Sequence, residues 1–496
     1  MRLTGRSLLT VSNKLYISKV DEVYAHVRCE SSAAMEMNEF FTFYVPGYKF
    51  MPAFRNKLWD GKIRLFNYQT RQIYYGLLPY LERFAEEREY EIEYDESIEG
   101  ADEFSLNDAQ EFIDTLGLPF APRDYQVKAF VHSVRNKRAL LLSPTASGKS
   151  LIIYLLARWF NAKTLIIVPT ISLVAQLYKD FEDYGFDSNK YIHQIMAGAP
   201  KHTDSPIVIS TWQSIYKMPK QWFEQFDVVI GDEAHNFKAK SLTTILSNLT
   251  DCKYRFGLTG TLDGTQTHRL VLEGLFGAVK KVTTTKELID SGSLAKFKIK
   301  ALVLKHDEES CKACKNNKYQ EEIDYLVTKS SRNKFIRNLT LSLKGNTLVL
   351  YQFVEKHGRV LYNMITDAIE EGRPLFFIHG GVGVDEREEV RRITEEENNA
   401  IIIASYGTFS TGINIRNLHN VIFSSPSKAK IRVLQSIGRG LRKGDNKEEA
   451  TLFDISDDLT YKSRKNFTLE HFMERMRIYN EEKFDYKIYT INLKDN

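Results

Sequence analysis

The hydrophobic pattern of the chain changes character along its length. In the middle, short uninterrupted apolar runs end abruptly in turns. Ala139-Leu140-Leu141-Leu142 reads as a buried strand, and Phe226-Asp227-Val228-Val229-Ile230-Gly231 as a strand of the kind buried in parallel sheets. Between them, residues 150–158 (SLIIYLLAR) suit a buried helix. Near the start, Leu15-Tyr16-Ile17, Glu22-Val23-Tyr24-Ala25-His26-Val27 and Phe40-Phe41-Thr42-Phe43-Tyr44-Val45 predict strands. Trp59-Asp60-Gly61-Lys62-Ile63-Arg64-Leu65-Phe66 predicts a turn into another strand, and residues 76–87 a helix, ahead of the acidic stretch 91–103. Near the end, Leu469, Phe472, Met473, Met476 and Ile478 set a helix over 468–483, and 486–493 reads as a last strand.

This layout predicts a small α/β accessory domain over 1–105 and a first lobe over 106–290. A lysine-rich, partly irregular linker or insert over 291–335 follows, then a second lobe over 336–450 and a short C-terminal helical extension over 451–496. No internal repeat or low-complexity tract interrupts it. Hydrophobic residues make up 43% and charged residues 27%, ordinary values for a globular chain. No apolar run reaches the ~18 residues of a membrane span, and the N-terminus soon turns polar and acidic, which speaks against a signal peptide. The excess of 68 basic over 64 acidic residues, a net +4, is too small to establish nucleic-acid binding by itself; distribution decides that.

Four cysteines suit a reducing, cytoplasmic setting. Cys311 and Cys314 form a Cys-x-x-Cys, but a zinc site needs two more ligands, and Cys29 and Cys252 are remote. Lys312, Lys315 and Lys318 crowd the pair, so the segment reads as an exposed basic loop with free thiols.

Two segments carry the chemistry. Ser143-Pro144-Thr145-Ala146-Ser147-Gly148-Lys149-Ser150 follows a strand and opens a helix, the setting of a phosphate loop. Successive backbone N–H groups and the helix N-terminus can face a phosphate. Lys149 is placed to reach the β- and γ-phosphates, and the Ser150 hydroxyl to ligate Mg²⁺. Ser143 stands where the simplest pattern has its first glycine, while Gly148 is present. The second segment, Asp232-Glu233-Ala234-His235, also follows a strand. Asp232 is expected to support Mg²⁺ and Glu233 to orient and deprotonate the attacking water. Alone, each could be a chance turn; paired in this order, they predict ATP hydrolysis.

On these residues the chain resembles a superfamily 2 helicase of the DEAH type. Arg123-Asp124-Tyr125-Gln126 resembles the adenine-reading motif of that family. Ile167-Val168-Pro169-Thr170 and Ser210-Thr211-Trp212-Gln213 resemble its strand contacts, and Leu258-Thr259-Gly260-Thr261 its coupling motif. Leu350-Tyr351-Gln352-Phe353 and His379-Gly380-Gly381 resemble the opening of the second lobe. The run from Ala404 to Asn414, containing Thr408 and Gly412, resembles the motif linking ATP to the strand, with Asn414 where many relatives carry Asp. Gln435-Ser436-Ile437-Gly438-Arg439-Gly440-Leu441-Arg442 resembles the arginine-finger motif, and a planar guanidinium suits the charge that develops on the γ-phosphate. The resemblance covers roughly 120–445 and implies two tandem RecA-like P-loop NTPase lobes that close on ATP and step along a strand. It also implies that His235 couples the ATP site to the motif around Gln435.

Within the superfamily the chain resembles the recombination and repair helicases of T-even bacteriophages. That likeness implies a monomeric motor on DNA: branch migration of four-way junctions, regression of stalled forks, and unwinding of RNA–DNA hybrids in R-loops. In the accessory domain, Arg55, Lys57, Lys62, Arg64 and Arg71 interleave with Trp59, Phe66, Tyr68 and other aromatics, a mixture suited to phosphate contact and base stacking. Trp59, Lys62 and Arg64 are the candidate contacts; alternation puts Lys62 and Arg64 on one face, Ile63 and Leu65 on the other. Three other readings stay open: an RNA helicase, the motor subunit of a restriction enzyme, and a nucleotide-gated scaffold without turnover. Stimulated ATP hydrolysis separates the last from the rest.

Overall fold

The computed structural model describes residues 13–144, 146–196, 198–238, 240–262, 265–412, 415, 417–425 and 449–494. One compact unit comprises the residues up to Val282 other than Pro144–Ser147, and the second comprises those four together with Thr283 onward.

The accessory domain opens the first unit. Its strands are β1 (Lys14–Lys19), β2 (Tyr24–Arg28), β3 (Thr42–Tyr44), β4 (Lys62–Arg64), β5 (Phe66–Asn67), β6 (Gln72–Tyr74) and β7 (Glu91–Tyr94). Five of them form a sheet ordered β5-β6-β2-β1-β7, and β3 pairs with β4 in a separate antiparallel ribbon. Part of the acidic stretch 91–103 is itself a strand: β7 lies parallel to β1, where Lys14 pairs with Glu91 and Glu93. The apolar run at 40–45 is split. A helix, Ser31–Phe40, buries Ala33, Ala34 and Met37 before β3 begins.

The first lobe has seven strands, all parallel: β8 (Arg138–Leu142), β9 (Thr164–Val168), β10 (Ile192–Ile195), β11 (Ile207–Thr211), β12 (Val228–Gly231), β13 (Tyr254–Thr259) and β14 (Val279–Lys281). Their order is β10-β11-β9-β12-β13-β8-β14. Strands buried on both faces read as continuous apolar runs, and β9, β11 and β12 are buried at every position. The Lys149–Phe160 helix covers one face with seven consecutive buried residues from Leu151 to Ala157.

The second unit repeats the plan: β15 (Lys296–Lys305), β16 (Thr347–Tyr351), β17 (Leu375–Ile378), β18 (Ile401–Ser405), β19 (Asn420–Phe423), β20 (Glu449–Asp458) and β21 (Tyr486–Asn492). The order is β17-β18-β16-β19-β20-β15-β21, again all parallel. Two expectations differ here. The stretches set apart at 291–335 and 451–496 supply three of these seven strands, so they complete the second sheet. The lysines of 296–300 alternate with Phe297 and Ile299, and that alternation is a strand with one wet face: the lysines are exposed and the apolar residues buried. The Cys-x-x-Cys is not an exposed loop. It lies in the helix Glu308–Cys314, capped by Asp307, with both thiols buried against Leu326 and Leu459. No cluster of metal-ligating side chains occurs among the described residues, and among them no helix is long and apolar enough to cross a membrane.

Candidate active site

Ligand sites of open parallel sheets lie beyond the carboxyl ends of the strands, and both chemistry-bearing segments sit there. The chain leaves β8 at Ser143, whose N–H donates to the Thr259 carbonyl at 2.8 Å. The Ser147 N–H and hydroxyl both return to the Pro144 carbonyl, at 3.2 and 2.7 Å, which closes a tight turn. Ala146 and Gly148 take left-handed backbone, at φ +67° and +77°. Left-handed backbone favours glycine at 148, and a Cβ there would displace the Gln126 amide. That amide donates to the Gly148 carbonyl at 3.2 Å, while its oxygen accepts the Arg123 N–H at 2.8 Å. The candidate adenine reader is therefore tied to the phosphate loop. Arg123 itself donates from its guanidinium to the Tyr125 hydroxyl at 2.7 Å. Thr145 lies outside the described residues.

Lys149 starts the helix, and its ammonium meets Glu233 at 3.1 Å. Glu233 reaches His235 Nδ1 at 3.3 Å, and the same ring nitrogen lies 2.9 Å from the Thr259 hydroxyl. That hydroxyl in turn donates to the Thr261 carbonyl at 2.9 Å. A continuous polar chain thus joins the phosphate loop, the acidic segment and the Thr259–Thr261 motif. Asp232 stands one residue before Glu233 and accepts its N–H at 2.9 Å, with Glu233 held at φ +49°.

The two carboxyls differ in acidity. Burial pushes Asp232 up to about 6 against the opposing pull of Lys149. Burial acts in the same sense on Glu233, but Lys149 and His235 outweigh it and hold that carboxyl well below the usual range. One group is thereby biased to hold a proton and its neighbour to remain an anion. The lysine at the helix N-terminus can bind a polyphosphate, and the Glu233 anion beside it can polarise water.

Ser150 has a partner that nothing in the sequence signals: its hydroxyl lies 2.7 Å from that of Tyr184, 34 residues on. Burial raises the Tyr184 phenol to about 12, so it stays protonated. Thr170 caps the Ile171–Asp183 helix, and Thr211 ends β11 with its hydroxyl 2.9 Å from Ser214. In the second unit Thr408 bonds to Ser405 at the start of the Tyr406–Gly412 helix. Asn414, Gln435, Arg439 and Arg442 lie outside the described residues. In the accessory domain, Trp59 donates from its ring N–H to the Lys62 carbonyl, Arg64 pairs with Asp60, and the Lys62 ammonium lies over the Tyr44 ring. Leu65 is buried and Ile63 packs on the core, so the alternation along 62–65 holds.

Two parallel lobes with a phosphate loop after β8 and an acidic Asp-Glu-Ala-His after β12 define a P-loop NTPase of the helicase class. Family models match accordingly: "Type III restriction enzyme, res subunit" over 119–264, "DNA helicase UvsW, N-terminal" over 15–95, and "Helicase conserved C-terminal domain" over 330–444. The ATP-dependent DNA helicase uvsW of Enterobacteria phage T4 is 36% identical over 95% of this chain and 98% of its own. The DNA 3'-5' translocase XPB2 of Sulfurisphaera tokodaii is 24% identical over 69% of this chain and 84% of its own. The crystal structure of T4 UvsW matches with a TM-score of 0.52 at 34% identity, over 97% of this chain and all of that one. The Type ISP restriction-modification enzyme LlaBIII, at 17% identity and TM-score 0.56 over 76% of this chain and 32% of its own, shares the fold. The chain belongs to the UvsW family of ATP-dependent DNA helicases, and the resemblance read from its motifs is borne out.

Proposed function

We propose that this chain spends ATP to remodel branched DNA, including four-way junctions, stalled forks and the RNA–DNA hybrids of R-loops. The observation that supports a working motor is the polar chain from Lys149 through Glu233 and His235 to Thr259 and Thr261. In this reading Gln126, with Arg123, selects adenine, while Lys149 and the loop 143–150 hold the phosphates. Glu233 is the base that takes a proton from water. The Asp232 carboxylate and Ser150 hydroxyl form a hard oxygen donor set, and a divalent cation would relieve the burial cost of the Asp232 charge. Asp232 and Ser150 would thus hold Mg²⁺, which when bound neutralises phosphate charge. For Ser150 this means giving up its bond to Tyr184.

His235 and Thr259 relay the state of Glu233 into the coupling motif. Thr170, Thr211 and Thr408 contact the strand backbone, and Asn414, Gly412, Gln435, Arg439 and Arg442 complete the site from the second lobe, as the resemblance implies. Backbone contacts make sequence preference weak and salt sensitivity strong. The accessory domain reads the branch through Trp59, Lys62 and Arg64, beside the exposed Phe50 and Leu58.

The test is the ATP hydrolysis rate with no nucleic acid, single-stranded DNA, duplex, a four-way junction, an R-loop and plain RNA, with Glu233→Gln as control. DNA stimulation with ATP-dependent conversion of the junction or R-loop supports the proposal. Stimulation by RNA alone overturns it in favour of an RNA helicase.

A further inference from the structure

The Gln266–Phe276 helix follows the Thr259–Thr261 motif in the chain and packs against two different neighbours within the first unit. On one side its Phe276 ring leaves no room for a side chain at Gly231, the last residue of β12 before Asp232, or at Gly257 in β13. A Cβ at either glycine would lie 2.9 Å from that ring. On the other side the helix meets the accessory domain. The Glu273 carboxylate, 2% exposed, accepts the Tyr80 hydroxyl at 2.5 Å, the Arg269 guanidinium at 3.2 Å and the Val279 N–H at 3.1 Å. Gly76 sits so close to the carbonyls of Glu273 and Gly274 that even a methyl group would overlap them. Gly274 faces the Tyr74 side chain in the same way, and Leu270 is part of the accessory domain's core. Along the edge of this seam Glu22 pairs with Arg138, and Glu99 with Lys137 and Lys253.

A contact of glycine on backbone carbonyl and of tyrosine on glycine leaves little flexible side chain to absorb displacement, and packed interfaces of this kind shift as units. We infer that the Gln266–Phe276 helix is a specificity-determining joint: Gly76, Tyr80 and Glu273 hold the accessory domain in one orientation on the first lobe, so that ATP-driven motion reaches branched DNA through that domain. The inference rests on the branched-DNA reading above. Tyr80, Gly76 and Glu273 are positioning residues, since none touches the ATP site. A domain that merely tethered the motor would tolerate loosening; one that transmits the stroke would not.

The experiment uses the full chain and its Gly76→Ala and Tyr80→Phe variants. Amide exchange is followed over 74–80 and 266–276, alongside single-strand-stimulated ATP turnover and junction conversion per ATP. In at least one variant, exchange at the seam speeds up, single-strand-stimulated turnover stays within about twofold, and conversion per ATP falls about fivefold or more, the scale of a coupling free energy between sites. Three results overturn the joint: faster exchange with unchanged conversion per ATP, turnover and conversion falling in parallel, or unchanged exchange in both variants. If Gly76→Ala fails to fold, Tyr80→Phe carries the same readouts. An unmodified chain that converts no branched substrate refutes the branched-DNA reading instead, and the parallel measurement on that chain separates the two failures.

Discussion

At the scale of single residues, Lys149 and Glu233 depend on each other. They form an ion pair at 3.1 Å, in a site where burial would otherwise neutralise the carboxyl. Lys149→Ala removes the proposed phosphate contact and one of the two groups, with His235, that keep Glu233 ionised. ATP turnover is expected to fall at least ~100-fold, the usual scale for losing one preorganised electrostatic contact, with DNA binding largely intact. Steady-state hydrolysis and a DNA-binding titration check this, and substantial residual turnover would show that the phosphate loop lies elsewhere.

A second residue, His357, makes a pH prediction. Its Nδ1 lies 3.0 Å from the hydroxyl of Ser425, at the exit of β19, which also accepts the Gln352 N–H. Burial, with Arg332 adding and Asp457 opposing, lowers this imidazole from 6.5 to about 3. The folded state therefore binds fewer protons than the unfolded chain between those values, so stability is full above pH 6.5 and is lost as pH falls. His357→Asn should flatten that loss by about 1 kcal/mol per pH unit between pH 6.5 and 4, read by urea unfolding with amide exchange over 347–365. An identical slope in the variant would sink the assignment.

At the scale of elements, Arg255 shows how two helices and a strand are fastened. It is fully buried in β13 with no carboxylate partner among its hydrogen bonds. Its guanidinium donates instead to the carbonyls of Leu275, Leu249 and Leu246, at 2.7–2.8 Å. These belong to the ends of the Gln266–Phe276 and Lys240–Asn248 helices, where carbonyls lack intrahelical partners and the helix dipole favours a cation. Arg255→Leu should cost about 3 kcal/mol, the sum of several orphaned buried acceptors, seen as an earlier urea midpoint of the first unit. The same change should speed amide exchange near the joint formed by Gly76 and Tyr80. Arg255 was not singled out from the sequence, because a lone arginine in an apolar strand gives no sign of which carbonyls it will reach.

At the scale of the molecule, the accessory domain and first lobe act together on DNA in the proposed reading. Lys62→Glu with Arg64→Glu should weaken branched-DNA binding in a folded variant and lower the salt dependence of the remainder, since each phosphate contact released contributes to that slope. Unchanged binding would remove the accessory domain from the DNA interface. The seam between domain and lobe is itself partly ionic, through Glu22, Arg138, Glu99, Lys137 and Lys253. The half-exposed Glu99 pairs contribute little in salt, so the glycine contacts, the Tyr80–Glu273 bond and the largely buried Glu22–Arg138 pair carry the joint under the conditions where DNA is released.

What can be read from the residues alone is the chemistry carried by neighbours in the chain. A phosphate loop is consecutive backbone between a strand and a helix, and an Asp-Glu-Ala-His is consecutive side chains after another strand, so both were legible as local patterns. The class of enzyme followed from them and from the order of the remaining motifs. Period-two alternation along 296–300 is equally local, yet the lysine content hides it, and although 486–493 reads as a strand, nothing in the local pattern says that it joins the second sheet. Tertiary structure alone decided the strand orders, the Tyr184 hydroxyl on Ser150 and the Tyr80 hydroxyl on Glu273. The last two partners lie 34 and 193 residues apart, and no periodicity in a sequence marks a pair at that distance. Their proximity is a consequence of close packing among whole elements, which depends on the shapes of all the side chains at once rather than on any one segment.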